Sequence, residues 1–410
     1  MRTLLPFIFL AFGLLNAPGK PLPNILVILV DDMGYGDLKS YNPDSRIPTP
    51  HLDKLAHEGL RFTDAHAPGP LCHLSRYGLM TGRYPFRANT GAWRNQPSIK
   101  AGQTTIASLL RAQGYHTSMV GKWHLGFEEN GYDKPLPGGP VDVGFETFFG
   151  IRASTDIPPY FYIRGNRAVS EPTGRIASNY STGWSRIQGA FWRAGGISPD
   201  LKLEDVLPRF TEEALRKIDS YDSSAGKPLF LYLAYPAPHT PWLPSAKYKG
   251  TGGAGMYGEF TAMVDGEIGR VLHALETRKL AGNTLVIFTS DNGPHGAVSN
   301  ARPLRGSKGM FYEGGIREPF LVRMLVGVLL QPLLVVMAEI ADTDLQRDGQ
   351  CHHCRPPKGV ELAVCRLCAR VYTDGLPAVL LLHFNLGLFS GISNRTRAVH
   401  RAFLARCNVR

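Results

Sequence analysis

Residues 24–32 read Asn-Ile-Leu-Val-Ile-Leu-Val-Asp-Asp, an apolar run rich in β-branched side chains that ends in two adjacent acids. A run that is apolar at every position predicts a strand buried on both faces, as in a parallel sheet. Residues 284–289 (Thr-Leu-Val-Ile-Phe-Thr) follow the same pattern and lead into Ser-Asp-Asn-Gly. Residues 230–234 form a third apolar run, which precedes a proline-rich loop at 236–244. The sequence therefore predicts several strands of a mainly parallel sheet.

Helices are predicted between these strands. Residues 49–59 and 105–114 each have a helical pattern that is ended by a glycine. Apolar strands alternating with helices indicate an α/β fold, in which helices cover both faces of the sheet. In such sheets ligands bind outside the carboxyl ends of the strands, which is where the acidic residues of this chain fall.

The composition is that of an ordinary globular protein. The chain has 410 residues, which is enough for a large α/β domain and a smaller one. Of these residues, 43% are hydrophobic and 19% are charged. Its net charge is +11, but the lysines and arginines are spread along the chain. Because no basic block and no nucleic-acid recognition module is present, we expect no nucleic-acid partner.

The first 17 residues indicate export. They begin with Met-Arg and continue through an apolar run at 4–15, which is short for a bilayer span. This pattern predicts a signal peptide over residues 1–17 and a periplasmic or secreted protein. An N-terminal anchor or a buried segment is the alternative, since Pro18 is a poor residue after a cleavage site.

A single cysteine stands out in the body of the chain. Residues 72–83 read Cys-His-Leu-Ser-Arg-Tyr-Gly-Leu-Met-Thr-Gly-Arg, and Cys72 is the only cysteine among the first 350 residues. Exported proteins rarely keep one unpaired thiol, because oxidising compartments favour pairing. A lone thiol ahead of Ser75, Arg76 and a turn at 81–83 therefore indicates chemistry rather than packing. At the start of a helical segment it would lie where the helix dipole stabilises an anion.

Oxygen-bearing side chains follow two of the predicted strands. They are Asp31, Asp32, Asp291 and Asn292. Carboxylate and amide oxygens favour calcium or magnesium over zinc or copper, and a cation between two adjacent acids relieves their repulsion. Each of these residues alone is also a common turn residue or helix cap. Together they predict a cation site.

Basic side chains lie on further loops that follow strands. Lys122 and His124 belong to Gly-Lys-Trp-His at 121–124, and on an extended segment residues two apart point to the same side. A lysine can neutralise a tetrahedral dianion, and a histidine can move a proton near neutral pH. His239 lies in a Pro-His-Thr-Pro loop, and Lys308 lies between glycines that allow the backbone to approach an anion closely.

With these residues assembled, residues 23–323 resemble a sulfatase of the arylsulfatase A and N-acetylgalactosamine-6-sulfatase type, in the alkaline-phosphatase-like superfamily. The resemblance rests on Asp-Asp-x-Gly-Tyr-Gly-Asp from residue 31, Gly-Lys-Trp-His at 121–124 and Asp-Asn-Gly at 291–293. It implies an α/β fold with a mainly parallel sheet flanked by helices on both faces. The family signature, a cysteine followed by x-Pro-x-Arg and then Thr-Gly-Arg, also matches, except that Leu74 replaces the proline.

The resemblance implies a formylglycine, made by oxidation of Cys72, and one calcium ion. The implied calcium ligands are Asp31, Asp32, the modified Cys72, Asp291 and Asn292. Arg76 would orient the formylglycine and share the charge of the metal centre. One hydroxyl of the aldehyde hydrate would attack sulfur, and loss of the proton from the other would release sulfate.

The remaining site residues receive roles from the same resemblance. Lys122, His239 and Lys308 would bind the sulfate oxygens. His124 would help to remove the hydroxyl proton whose loss releases sulfate. Ser154 matches a position that contacts the site.

The expected function is hydrolysis of sulfate esters, on a carbohydrate rather than on a small aryl alcohol. A formylglycine-generating enzyme or an anaerobic maturase would be the partner that modifies Cys72. One alternative is a phosphodiesterase or phosphonate-ester hydrolase of the same superfamily. Because Leu74 replaces the signature proline, a non-catalytic anion-binding protein is the other alternative.

Residues 324–410 depart from the family pattern. A Trp-Pro-Gly turn, a small antiparallel sheet and a C-terminal helix normally follow, and here that subdomain is missing or altered. Apolar runs at 324–338 and 376–388 are interrupted by polar residues and predict no stable membrane span. Two C-x-x-C pairs suit a zinc site, with disulfides or a truncated or frame-disrupted end as alternatives. The cysteines of this tail are Cys351, Cys354, Cys365, Cys368 and Cys407.

Overall fold

The structure is a computed structural model that describes residues 22–185, 187–296 and 301–324, together with the backbone of two short strands near residue 375. The predicted signal peptide at 1–17 lies outside the described residues. So do both C-x-x-C pairs and Cys407, and therefore the zinc and disulfide hypotheses.

Eleven strands in the described part of the chain form one sheet, and two more form a separate pair. The strands are β1 Asn24–Asp31, β2 Leu60–Phe62, β3 His116–Lys122, β4 Thr147–Ile151, β5 Ile163–Arg164, β6 Arg167–Ala168, β7 Gly174–Ile176, β8 Gly195–Ile197, β9 Leu229–Pro238, β10 Thr284–Ser290, β11 Phe320–Arg323, β12 Val371–Thr373 and β13 Leu376–Pro377. The α-helices are α1 Pro50–Glu58, α2 Cys72–Thr81, α3 Ile106–Ala112, α4 Val206–Asp219, α5 Gly255–Thr277 and α6 Glu313–Ile316.

The large sheet has the order β13-β12-β2-β11-β10-β1-β9-β3-β4-β5-β6. Its centre, β10-β1-β9-β3-β4, is parallel, and the strands outside it pair antiparallel. The predicted α/β fold with a mainly parallel sheet is confirmed. Because the central strands run in one direction, their carboxyl ends meet at one edge of the sheet.

Strand β1 explains why both faces of the sheet are covered. All eight of its residues are buried. Alternate side chains point to opposite faces, so a strand covered on both sides is apolar throughout. Leu26, Ile28 and Val30 pack in one core with α1, α4 and α5. Ile25, Val27 and Leu29 pack in a second core with α2 and α3.

The predicted helices at 49–59 and 105–114 correspond to α1 and α3, and glycine Gly59 follows the end of α1. Strand β9 is longer than predicted, because it continues through Pro236 to Pro238. Its register with β1 shifts between Leu29 and Asp31. Proline has no N–H for the ladder, and such a bulge is where a strand tolerates it.

The segment that carries Lys122 and His124 is not extended throughout. Lys122 ends β3, but His124 has a φ of 58°, in the left-handed region. The prediction that both side chains follow the alternation of one extended segment is therefore wrong at His124. Within the described residues, none of the helices combines the length and the apolar character that crossing a membrane requires.

Gly121 offers a test of how tightly β3 and β9 pack. It has a φ of 121°, and a Cβ on it would lie 1.9 Å from the carbonyl oxygen of Ala234. We expect Gly121→Ala to lower the free energy of unfolding by ~3 kcal/mol or more, through backbone strain and overpacking. Urea unfolding followed by circular dichroism measures this change.

The matched control is Gly226→Ala. Gly226 has a φ of 70°, but no atom of the described residues lies within 4 Å of a Cβ placed on it. Its substitution should cost only ~1 kcal/mol, from backbone conformation alone. Equal losses at the two positions would contradict the close approach of β3 to β9.

Candidate active site

The acids that follow β1 and β10 meet at the carboxyl edge of the sheet. The backbone N–H of Asp32 donates to Asp291 Oδ1 at 3.3 Å, and Asn292 Nδ2 donates to Asp32 Oδ1 at 2.7 Å. Asp31, Asp32, Asp291 and Asn292 are all at most 4% exposed. Asp32 also has a left-handed φ of 67°. Such conformations in non-glycine residues persist where the surrounding structure holds them, often at functional sites.

Helix α2 brings Cys72 and Arg76 to the same cluster. Cys72 is the first residue of the helix, and its Sγ donates to Asp31 Oδ1 at 3.2 Å. Arg76 lies one turn later and so on the same face. Its Nε and Nη2 contact Asp291 Oδ2 at 3.0 and 2.8 Å, and its Nη1 donates to the carbonyl of Lys122 at 2.8 Å. The spacing of four residues thus positions a thiol and a guanidinium together.

Two lysines reach the cluster from other elements. Lys122 is fully buried, and its Nζ bonds Asp31 Oδ2 and Ser154 Oγ, the latter at 2.6 Å. Lys308 Nζ lies 2.7 Å from both carboxylate oxygens of Asp32 and 3.5 Å from Cys72 Sγ. Each acid next to the thiol is therefore paired with a lysine.

His239 lies beside the acids, in the loop after β9. Its Nδ1 donates to the carbonyl of Thr240 at 2.7 Å, and its Nε2 lies 3.7 Å from Asp32 Oδ2. Potential ligand atoms of Asp31, Asp32, Cys72 and His239 all lie within 4.8 Å of one another. The cluster thus contains an imidazole as well as the oxygen donors that the sequence indicated.

His124 lies in a different environment. It is 4% exposed, and its ring packs edge-on against Trp93 with centroids 4.2 Å apart. Among the described residues, neither ring nitrogen has a hydrogen-bond partner. Burial, and then the charges of Lys122 and Arg76, hold the pKa of His124 well below its usual value. The imidazole is therefore neutral at pH 7.

The cluster strongly changes the acidity of its members. Burial raises the pKa of Asp31, but Lys122, His239 and the nearby arginine and lysine outweigh it, so the pKa lies well below normal. Burial and the charge of Asp31 raise the pKa of Asp291 to about 6. The same two causes raise the pKa of the Cys72 thiol well above its usual value.

The donor set fits a hard divalent cation. Asn292 Oδ1 is buried and has no hydrogen-bond partner in the described part of the chain. A buried unpaired polar atom costs ~1–3 kcal/mol, and a bound cation would satisfy it. Asp31, Asp32 and Asp291 supply carboxylate oxygens beside it, and calcium prefers carboxylate and amide oxygens.

A second group of potential metal ligands is less suited to a cation than the buried cluster. Asp64, His66 and Glu313 are exposed, and Arg317 already pairs with both acids of this group. Surface groups of this kind gain little from a cation, because water and the arginine already stabilise their charges.

Sequence reasoning missed several residues of the site wall. Asp156 is 3% exposed, forms an ion pair with Arg193, and has Oδ1 3.9 Å from His239 Nδ1. It follows Ser154 by two residues in the same loop. Closeness in sequence to Ser154 was the available signal for Asp156. The conformation of the loop, however, decides which of its polar residues faces the site.

Two further histidines approach the site. His73 follows Cys72, and its ring lies 5.8 Å from that of His124. His295 follows Asn292 by three residues, and its Nδ1 is 2.8 Å from Gln188 Nε2. His73 is adjacent in sequence to a predicted ligand and His295 is three residues from one, but neither belongs to a motif that distinguishes it.

Leu74 is accommodated without distortion in the first turn of α2. Its backbone N–H donates to the carbonyl of Leu71 at 3.0 Å. Its side chain packs against Gly69, where a Cβ would approach the Cβ of Leu74 to 2.8 Å. The signature proline, which lacks an N–H, could not make this backbone bond, so leucine fits the first turn of the helix.

Comparison with known proteins agrees with this site. A profile of the sulfatase family matches residues 23–325. The chain is 32% identical over 354 residues to the N-acetylgalactosamine-6-O-sulfatase of Bacteroides thetaiotaomicron, an alignment that covers 75% of this chain and 68% of that protein. It is 37% identical over 329 residues to arylsulfatase A of Bos taurus, covering 76% of this chain and 60% of that protein.

A solved structure supports the same assignment. A sulfatase from a glycosaminoglycan-metabolising locus of Bacteroides thetaiotaomicron superposes with a TM-score of 0.65 and 30% identity, covering 74% of this chain and 72% of that chain. The sulfatase profile over residues 23–325 spans strands β1 to β11 and every residue of the buried cluster. The chain therefore belongs to the sulfatase family.

Proposed function

We propose that this chain is a calcium-dependent sulfatase, which hydrolyses sulfate esters of carbohydrates through a formylglycine made from Cys72. The observation that carries the proposal is the position of Cys72 Sγ, which lies 3.2 Å from Asp31 and 3.5 Å from Lys308 Nζ. A group at this position touches both the acids that suit a cation and a lysine that suits an anion.

The environment of Cys72 favours modification over direct use of the thiol. Burial, followed by the charge of Asp31, raises the pKa of this thiol well above normal. A protonated thiol is a poor nucleophile. A formylglycine hydrate at this position would supply two hydroxyl groups on one carbon, one to attack sulfur and one whose deprotonation expels sulfate.

The basic residues suit a sulfate ester. Asp31 holds the ammonium group of Lys122 and Asp32 holds that of Lys308, so two positive groups are fixed in the cluster that contains Cys72. Fixed positive groups in a buried site stabilise the charge that develops on a sulfuryl group more than they would in water. We assign the sulfate oxygens to these two lysines and to His239, with Ser154 holding the Lys122 ammonium group.

His124 suits proton transfer. It is neutral at pH 7, because its pKa is held well below the usual value by burial and then by Lys122. Its ring nitrogens lack hydrogen-bond partners among the described residues, and Trp93 fixes the plane of the ring. A neutral, oriented imidazole can accept the proton whose loss releases sulfate.

Asp31, Asp32, Asp291 and Asn292 would hold calcium together with the modified residue 72. When bound, calcium supplies positive charge that activates the attacking hydroxyl. Arg76 donates a hydrogen bond from Nε to Asp291 Oδ2, its Nη2 lies 2.8 Å from the same oxygen, and this ion pair fixes the carboxylate. This fixation keeps the oxygen donors in place before a cation binds.

The substrate class follows from the relatives. The bacterial relative is named for N-acetylgalactosamine-6-sulfate. We assign a sulfated carbohydrate to this chain on that basis. We also propose residues 23–323 as the catalytic domain, residues 1–17 as a signal peptide for export, and a formylglycine-generating enzyme or anaerobic maturase as the modifying partner.

The function is tested by comparing turnover of para-nitrophenyl sulfate and bis-para-nitrophenyl phosphate, with protein made in a host that matures sulfatases. We expect kcat/KM for the sulfate to exceed that for the phosphodiester by ~100-fold or more, and Cys72→Ala to lower it by ~1,000-fold or more. Ser45→Ala, which alters a buried hydroxyl outside the cluster, is the control for folding.

Other outcomes identify the alternatives. A phosphodiester preferred by orders of magnitude would make the chain a phosphodiesterase. Full activity of Cys72→Ala would exclude a formylglycine mechanism. Sulfate binding without turnover of either ester would indicate a non-catalytic anion-binding protein.

Removal of calcium gives a second prediction. EGTA should lower both sulfatase activity and the midpoint of thermal unfolding, and calcium should restore both. A ligand present at one hundred times its Kd stabilises the native state by ~2.7 kcal/mol. Asn292→Ala should lose most of this response in the unfolding midpoint, because it removes a buried oxygen that has no hydrogen-bond partner among the described residues.

Asp64→Asn is the matched control for calcium. Asp64 belongs to the exposed group with His66 and Glu313, so the variant should respond to calcium as the unaltered chain does. A calcium response that survives in Asn292→Ala but is lost in Asp64→Asn would place the cation in the exposed group instead.

A further inference from the structure

The loop at residues 305–312 connects the buried cluster to the protein surface. Lys308 in this loop is the lysine that bonds Asp32. Met310, Phe311 and Tyr312 immediately follow and are 48%, 77% and 48% exposed. Among the described residues, no other three consecutive large apolar side chains are so exposed. Exposed apolar groups of this kind, beside a site, indicate a binding surface.

The loop is fixed close to the site by its backbone. Lys308 N–H donates to the carbonyl of Pro294, and Gly309 N–H donates to that of Pro70, both at 2.9 Å. Met310 N–H closes a turn on Ser307 at 3.0 Å. Three residues of chain span at most ~11 Å, so the backbone of Phe311 is held within that distance of Lys308, which reaches the cluster.

An arginine is held against the same aromatic group. The guanidinium carbon of Arg305 lies 4.1 Å from the centroid of the Tyr312 ring, and its Nη2 donates to the Tyr312 hydroxyl at 3.2 Å. Among the described residues, the side chain of Arg305 contacts Tyr312 and forms no ion pair with a carboxylate. Stacking orients a guanidinium while leaving other N–H groups available for a carboxylate or a sulfate.

We propose that the 305–312 loop binds a second residue of an acidic oligosaccharide, beyond the residue whose sulfate enters the cluster. Phe311 contacts the apolar C–H face of that second sugar ring. Arg305, oriented by Tyr312, binds its carboxylate or sulfate. This inference rests on the proposed function, and it narrows the substrate to polyanionic oligosaccharides rather than monosaccharide sulfates or aryl sulfates.

Physical considerations favour this occupant. A sugar ring packed on a phenyl group removes apolar surface of both from water, which is favourable, while the sugar hydroxyls at the ring edge stay solvated. The fork of an arginine matches planar or tetrahedral oxyanions. The net charge of +11 also attracts a polyanion toward the surface of the protein.

The test compares two substrates that carry the same sulfate ester. One is N-acetylgalactosamine-6-sulfate itself, and the other is a tetrasaccharide with that residue at its end, next to a uronic acid. We expect Phe311→Ala and Arg305→Ala each to lower kcat/KM for the tetrasaccharide ~10-fold, mainly through KM, which corresponds to ~1.4 kcal/mol. For the monosaccharide the change should stay within ~2-fold.

Two further variants sharpen this experiment. Phe86→Ala removes another phenylalanine, which is 78% exposed on a different loop, and should change neither substrate's kinetics. Arg305→Lys keeps the charge but loses the planar fork, so its loss on the tetrasaccharide should be smaller than that of Arg305→Ala. Unchanged kinetics for the tetrasaccharide, or equal losses on both substrates, would overturn the proposal.

A binding measurement separates this proposal from the proposed function. Isothermal titration with the tetrasaccharide should show a Kd about tenfold weaker in Phe311→Ala than in the unaltered chain, whether or not Cys72 is converted. Binding through Phe311 without turnover would contradict sulfatase activity but support binding of the second sugar by the 305–312 loop. Turnover of both substrates with no effect of Phe311→Ala on the tetrasaccharide would support sulfatase activity and contradict binding of the second sugar by the 305–312 loop. No measurable binding of the tetrasaccharide to the unaltered chain would overturn the proposal for the 305–312 loop.

Discussion

Three carboxylates are buried together at the carboxyl edge of the sheet, and the rest of the site must compensate their negative charge. A buried charge costs several kcal/mol unless it is paired. Each acid here has its own partner, because Lys122 bonds Asp31, Lys308 bonds Asp32 and Arg76 bonds Asp291. The three partners come from β3, from the 305–312 loop and from α2. Charge pairing therefore draws three distant segments around Cys72, and the position of the thiol follows from it.

This pairing also connects the cation and the sulfate. The lysines that neutralise Asp31 and Asp32 are also the groups assigned to the sulfate oxygens. The carboxylates and the sulfate therefore compete for the same two ammonium groups. A divalent cation held by the acids would relieve that competition. The metal and the anion are thus expected to bind more strongly together than alone, which is a coupling between two adjacent sites. The buried amide oxygen of Asn292, which has no hydrogen-bond partner within the described residues, would be satisfied by the same cation.

The main features of this site follow from local patterns. Buried parallel strands are apolar at every position, so the run at 24–30 predicts β1, and polar residues after such strands must meet at one edge. The spacing of Cys72 and Arg76 predicts one face of a helix, which α2 provides. The left-handed backbone of His124 and the length of β9 could not be predicted this way, because neighbouring strands determine them. The place of Asp156 beside His239 likewise depends on the packing of a long loop.

The proposed sulfatase activity depends on conversion of Cys72 to formylglycine within this cluster, although Leu74 replaces the signature proline. Mass spectrometry of the tryptic peptide that contains residue 72, from protein made with a sulfatase maturase, tests it most directly. We expect an aldehyde at position 72, seen as the mass of formylglycine or of its hydrate. An unmodified thiol in a host that converts a control sulfatase would contradict it, and the cluster would then be one that binds anions without hydrolysing them.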